Sequence, residues 1–219
     1  MRLYLRLSPN REMIPFNYQY LLTGCVHKWI GKNNDEHGNR SLYCFSWLQN
    51  THADKNGISL NRDSYFFISA HHVDFIKRVM KGILSSPDVF CGSKVVGIQI
   101  KETPQFSGEE QFFLNSPVLI RKRVDEKTKH VTFKDRDFED LLTENLKNKL
   151  KSAHLPSENV SIKIDKDYAC PQTKLVDYKG IKNRTTWAPV IIKGMPEQIA
   201  FAWQVGLGQS TGIGFGAIK

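Results

Sequence analysis

Residues 206–216 read Gly-Leu-Gly-Gln-Ser-Thr-Gly-Ile-Gly-Phe-Gly, five glycines in eleven positions. Glycine lets the backbone turn through positive φ and approach other chain closely. Successive N–H groups exposed in such a loop form a concavity for an anion. The formal net charge is +9, and on so basic a chain the anion indicated is a phosphodiester; a tight turn with glycines in a strand is the plainer alternative. Two basic runs add to the pattern: Arg121, Lys122 and Arg123 with Lys127 and Lys129, and Lys179, Lys182 and Arg184. Such runs bind phosphates with salt-dependent affinity and little sequence choice, or are ordinary solvated faces. The seven histidines lack metal-ligand spacing, and Cys25, Cys44, Cys91 and Cys170 form no C-x-x-C pair. That argues against zinc and for reduced cytoplasmic thiols. A helix-like segment precedes the glycines and no Gly-Lys-Ser/Thr follows, which argues against an enzyme binding a phosphorylated small molecule on a P-loop.

The elements that must position these groups follow from periodicity. Leu3, Leu5 and Leu7 alternate with Arg2, Tyr4 and Arg6, as in a strand. Tyr18, Leu21, Leu22, Cys25, Val26, Trp29 and Ile30 recur at helical spacing, so residues 17–30 are expected to be a helix with Cys25 in its core stripe. Strands are expected at 42–48 and 64–69, a helix around Val73–Ile83 and a strand at 95–100. This order is β-α-β-β-α-β, the ferredoxin-like split unit. Residues 103–110, with Pro104 and Gly108, read as a linker. A second unit then follows: a strand over 112–121 broken by Pro117, a helix carrying Phe138, Leu141, Leu142, Leu146 and Leu150, and a strand at 160–164. A polar stretch over 168–183 is either a long hairpin or a loop. A strand-like segment at 187–192, a short helix opened by Pro196 and a closing strand at 213–218 complete the unit. The fold class expected is α+β, tandem ferredoxin-like domains over residues 1–104 and 105–219, with 219 residues in all. No run of about 18 apolar residues exists to span a membrane.

Several of these stretches resemble the CRISPR-associated repeat-specific endoribonucleases of the RAMP superfamily. The glycine-rich stretch, with Val205 before it and a short helix preceding, is similar to that family's C-terminal loop. Residues 1–7 are similar to its first strand, and Pro15-Phe16-Asn17-Tyr18-Gln19-Tyr20 leading into Leu21-Leu22-Thr23-Gly24 to its first helix. Asn115-Ser116-Pro117 falls where the family begins its second domain. The resemblance implies paired RRM-like domains and cleavage of precursor CRISPR RNA within its repeats, without a metal or other cofactor. It implies in-line attack by the 2′-hydroxyl, leaving a 2′,3′-cyclic phosphate and a 5′-hydroxyl. The partners implied are CRISPR repeat RNA and subunits of an interference complex, with no membrane, and a monomer or homodimer in the cytoplasm.

Such a reaction needs a base, an acid and a cation or donor for the phosphate charge. In the family these groups come from the first helix and the segment after it. On a helical wheel His27 lies opposite the apolar stripe, beside Tyr20 and Thr23, where relatives carry a catalytic tyrosine; a solvated surface histidine is the alternative. His37 sits where relatives place a catalytic histidine, and it could equally be a turn residue. Arg40 is the cation nearest the family's lysine position, which counting back from Leu42 assigns to Ser41. The resemblance therefore implies His37 and His27 for proton transfer and Arg40 for phosphate charge. RNA contacts are expected from Arg121, Lys122, Arg123, Lys129, Lys182 and Arg184. The loop residues Gly206, Gly208, Gln209, Ser210, Gly212, Gly214 and Gly216 are expected to position the RNA backbone or to pack the domains together. A non-catalytic repeat-binding paralogue, or an effector-complex subunit, on the same fold is the rival reading. The aromatic K/R-G-F/Y run of an RRM sheet is absent, so stacking of bases on a sheet face is not expected.

Overall fold

A computed structural model describes residues 1–31 and 41–219. The first half contains β1 (Arg2–Leu7), α1 (Gln19–Ile30), β2 (Tyr43–Phe45), β3 (Gln49–Asp54), β4 (Gly57–Ala70), α2 (Val73–Ser85) and β5 (Val95–Lys101). The sheet runs β2-β4-β1-β5, antiparallel throughout, with β3 folded back on β4. The alternation in β1 sorts its side chains by face. Leu3, Leu5 and Leu7 are fully buried in one core with Leu22, Val26 and Trp29 of α1 and Phe75, Ile76 and Val79 of α2. Cys25 shares this core, and burial pushes its thiol up to about 11.

The second half contains β6 (Glu109–Phe112), β7 (Ile120–Val124), β8 (Lys127–Val131), α3 (Phe138–Ser152), β9 (Ser161–Ile164), β10 (Gln172–Tyr178), β11 (Ile181–Trp187), β12 (Val190–Lys193) and α4 (Pro196–Val205). Its central sheet runs β6-β12-β9, antiparallel, and an isolated bridge from Leu114 to Ile218 sets the C-terminal stretch beside the continuation of β6. The spatial order of fourth, first, third and second strand is therefore the same in both halves. That is consistent with a tandem ferredoxin-like arrangement, with hairpins β7–β8 and β10–β11 inserted in the second unit. A separate core of Leu142, Leu146 and Leu150 from α3, Ile199 and Trp203 from α4, and Ile162 and Ile192 from the sheet fills this half. Among the described residues no helix is long and apolar enough to cross a membrane.

Several boundaries differ from the periodicity, each for a local reason. The stretch 42–48 is not one strand. Trp47 leaves the sheet edge because its N–H donates to the Asn115 carbonyl at 3.0 Å, and pairing resumes in β3. The strand expected at 64–69 is the end of the fourteen-residue β4, whose exposed Asn61, Arg62 and Asp63 mask its continuity. The segment 103–110 is not all linker. Phe106 meets Phe112 edge-to-face and Trp203 at a tilt, and β6 starts at Glu109. The polar stretch 168–183 supplies β10 and the start of β11, joined by Lys179 and Gly180 at φ of 52° and 81°, a turn whose twist suits a two-residue hairpin. The segment 187–192 spans two strands, the end of β11 and the start of β12, with Pro189 between them. The closing strand expected at 213–218 is a 3₁₀ turn at Thr211–Ile213 followed by irregular chain, and within that span only Ile218 bridges the second half's sheet.

The two halves are pinned by Arg2. Its guanidinium is fully buried, 3.8 Å from the Phe67 ring centroid and 3.7 Å from that of Trp203. Its Nη2 donates to the carbonyls of Trp203 at 2.8 Å and Ile218 at 2.9 Å. Cys44 lies in the same seam, and burial raises its thiol to about 11.

Candidate nucleic-acid site at the glycine-rich loop

Three side chains one helical turn apart, Gln19, Thr23 and His27, share a face of α1, and that face is turned to the glycine-rich loop. Gln19 Nε2 donates to the Ile213 carbonyl at 2.7 Å, and Thr23 Oγ1 lies 3.4 Å from the same oxygen. His27 Nε2 is 3.3 Å from the Gly212 carbonyl oxygen. A carbonyl only accepts, so a hydrogen bond to it requires the imidazole proton on Nε2, while the other tautomer would accept at Nε2 from the Tyr43 hydroxyl. The Tyr43 hydroxyl, on β2, donates to the same carbonyl at 3.2 Å and lies 3.3 Å from His27 Nε2. Trp47 Nε1 adds a donor to the Gly214 carbonyl at 2.9 Å. His27 is half-buried, neither in the core nor freely solvated.

The loop explains why its residues are so small. All five glycines are buried. A Cβ at Gly212 would stand 2.9 Å from the Tyr43 hydroxyl and would overlap Ser41 Oγ, so a larger residue would displace those side chains. Three loop N–H groups are taken up within the second half: that of Leu207 donates to Gly216, that of Gln209 to Leu119 and that of Gly216 to Pro117. Gly206, Gly212 and Gly214 approach Cys44, Ser41, Tyr43, Phe45 and Gln19 of the first half, whereas Gly208 and Gly216 approach only second-half residues, so the loop as a whole is a clasp between the two halves. Gln209 and Ser210 alone among the loop residues expected to meet RNA are half-buried rather than buried.

Beside this clasp lies a cavity of about 280 Å³. Lys149 of α3 reaches it from below, its ammonium donating to the Gly206 carbonyl at 3.1 Å and approaching Thr211 Oγ1 at 3.4 Å. Arg121 of β7 forms another wall, with Nη2 donating to Ser210 Oγ at 2.9 Å and Nε to Gln209 Oε1 at 3.2 Å. Asn145 of α3 also lines it, and Oδ1 of that amide is buried with no partner among the described residues. Ser41 lines the cavity as well. The Arg121 guanidinium and the Lys149 ammonium, beside an orphaned amide, form a setting for an oxyanion with adjoining hydroxyls.

Of the residues expected from the sequence, the structure brings His27 and Arg121 to this region with Gln209 and Ser210. His37 and Arg40 lie outside the described residues; Ser41, next in the chain, lines the cavity. Lys122 and Lys129 face each other across the β7–β8 hairpin, opposite to the Arg121–His130 side. There Lys122 pairs with Asp137, and Lys129 lies 3.5 Å from Asp135, so much of their charge is already answered. Arg123 is exposed beyond Arg121, while Lys182 and Arg184 are exposed on β11 and do not line the cavity. Sequence reasoning missed Tyr43 and Lys149. The first reads as an ordinary strand aromatic; the second interrupts the apolar stripe of α3, seven residues after Leu142 and three after Leu146, and a lysine on that buried face was the signal that could have found it.

Comparison with known proteins places this architecture. The profile described as "CRISPR associated protein Cas6, C-terminal" matches residues 100–219, more than half of the chain. The chain belongs to the Cas6 family. It is 23% identical over 236 residues to CRISPR-associated endoribonuclease Cas6 1 of Methanocaldococcus jannaschii, spanning all of this chain and 92% of that protein. A solved structure described as "Characterization of a Cas6-related gene from Pyrococcus furiosus" superposes with a TM-score of 0.85 at 24% identity, covering 100% of this chain and 97% of the other. Another, "An RAMP protein binding different RNA substrates", gives 0.85 at 21% identity over 100% and 98% of the two chains. These likenesses show a Cas6 and RAMP fold, and the glycine-rich clasp falls within the Cas6 match.

Proposed function

We propose that this Cas6-family chain is an endoribonuclease that binds CRISPR repeat RNA and cuts precursor CRISPR RNA once per repeat. It works by internal attack and uses no metal. The 2′-oxygen adjacent to the scissile phosphate gives its proton to a base and bonds to phosphorus. The bond from phosphorus to the 5′-oxygen breaks, and an acid protonates that oxygen. The products are a 2′,3′-cyclic phosphate and a 5′-hydroxyl. His27 and His37 move the protons, and Arg40 holds the phosphate charge. Residues 1–104 form the domain that supplies them. Residues 105–219 form the domain that supplies the clasp, Arg121 and Lys149. Arg123, Lys182 and Arg184 extend the phosphate contacts, with smaller contributions from the paired Lys122 and Lys129. The chain works in the cytoplasm as a monomer or homodimer and hands its product to an interference complex.

The observation that carries this reading is the position of His27. Its Nε2 lies 3.3 Å from the carbonyl oxygen of Gly212, the residue next in the chain to Thr211, which lines the cavity walled by Arg121 and Lys149. The related protein of M. jannaschii carries the name endoribonuclease. One feature favours a repeat-binding protein without catalysis: Ser41, at the position where the family's lysine is expected, brings no charge to the cavity. A 2′-deoxy substitution at the scissile nucleotide separates the readings. It is expected to abolish cutting while leaving binding intact; continued cutting would exclude internal attack, and binding with no cutting of the unmodified RNA would favour the second reading.

A further inference from the structure

The exposed side of the first sheet is only half covered. At one end α4 packs on it, with Trp203 closing over Arg2 and Phe67. Toward the other end lies a groove of about 580 Å³. Its floor is built by strand register: Tyr4 of β1 stands beside Phe67 of β4 and Gln99 of β5, and Arg6 stands beside Tyr65 and Gly97. The Tyr4 and Tyr65 rings lie 5.7 Å apart at 42°, and both are half-buried, so each offers part of a face. Gly97 sits in the middle of β5, where a glycine weakens a strand unless something approaches closely. What approaches is Arg6: a Cβ at position 97 would stand 3.2 Å from its Nε and 3.3 Å from its Nη2. The guanidinium therefore lies along the groove floor. Asn50 and Asp63 add an amide and a carboxylate at the edge.

We propose that this groove is a stacking subsite for an unpaired base of single-stranded RNA. Aromatic rings on adjacent central strands of a four-stranded sheet are the platform on which RRM-type domains stack bases. Arg6 answers the neighbouring phosphate, and Asn50, Asp63 and Gln99 present donors and acceptors to the base edge. A ribonucleotide strand is the occupant that fits: the chain is strongly basic, and flat tyrosine faces beside an arginine suit a base with its phosphate better than an aliphatic protein surface. The subsite rests on the RNA-binding part of the proposed function and is independent of its cleavage chemistry. It lies apart from the clasp, since the groove and the cavity beside the loop share no lining residue.

The test uses the full chain and a fluorescein-labelled ten-nucleotide single-stranded RNA of mixed sequence, titrated by anisotropy at several salt concentrations. Tyr65→Leu keeps apolar bulk but removes the ring face, and is expected to weaken binding about tenfold, the scale of one lost base stack. Its dependence on salt should match that of the wild type. Tyr65→Phe keeps the ring and should restore affinity to within about twofold on the same stacking logic. Arg6→Ala should lower the salt slope by about one phosphate contact. Equal affinity for wild type and Tyr65→Leu would overturn the subsite while leaving RNA binding and cleavage elsewhere intact. No binding by the wild type would overturn both readings. A dimer in sedimentation that Tyr65→Leu dissolves would assign the groove to a second copy of the chain instead.

Discussion

His37→Ala is expected to slow cleavage of repeat RNA by about 10²-fold or more, the usual scale for removing a general acid or base. Affinity for the uncut RNA should stay within about threefold of wild type, because proton transfer and phosphate binding rest on different side chains. His27→Ala should produce a loss of the same order, measured as single-turnover rate at saturating enzyme. The second variant also deletes a contact to the Gly212 carbonyl, so His27→Asn is the informative companion. Asparagine can donate to that carbonyl but cannot shuttle a proton near neutral pH. A slow His27→Asn enzyme with intact affinity therefore assigns the chemistry to the imidazole. A fast one would reduce His27 to a clasp residue, and full activity in His37→Ala would remove that histidine from the site.

Arg2→Ala should cost about 3 kcal/mol of stability, among the larger effects expected of a single substitution. The guanidinium lies between two aromatic rings, and such desolvated contacts are worth about 2 kcal/mol or more. Its loss also strands the Ile218 carbonyl and leaves that of Trp203 with only the Ser69 hydroxyl at 3.4 Å. Burial pulls the pKa of this group down while Cys44 and Tyr4 push it the other way, and the rings and carbonyls add their hold on the charge in the seam. In urea unfolding the midpoint should fall, with Arg2→Met less affected, because an apolar chain of similar volume fills the slot without an ion to desolvate. An Arg2→Ala midpoint equal to wild type would show that the seam is held elsewhere.

Much of the architecture was legible because the two periods are clean. The leucines of β1 and the stripes of α1 and α3 announce which face is buried, and the β-α-β-β-α-β order follows. What escaped was set by contacts across the seam. The strand expected to run through Leu48 breaks because Trp47 bonds to Asn115 in the other half. The closing strand is irregular because Gly214 and Gly216 take φ of 86° and 68°. The glycines signalled close approach correctly, but composition alone left open whether the close neighbour was a phosphate or another part of the chain. The geometry shows loop carbonyls gathered by Gln19, Tyr43, Trp47 and Lys149. Tyr43 carries no local signal, since a strand tyrosine looks ordinary until the tertiary fold sets it against the loop, whereas Lys149 interrupts the apolar stripe of α3, where a buried ammonium needs partners. The pairing of Tyr4 with Tyr65 on the first sheet was not legible for a similar reason: the two are far apart in sequence and meet only through strand register.

The central claim is tested most directly by incubating the purified chain with repeat RNA in excess EDTA and analysing the ends of any product. The account predicts cutting at one position per repeat, with a 2′,3′-cyclic phosphate on the upstream fragment and a 5′-hydroxyl on the downstream one. Cutting that requires an added divalent ion, or fragments bearing a 5′-phosphate, would contradict it.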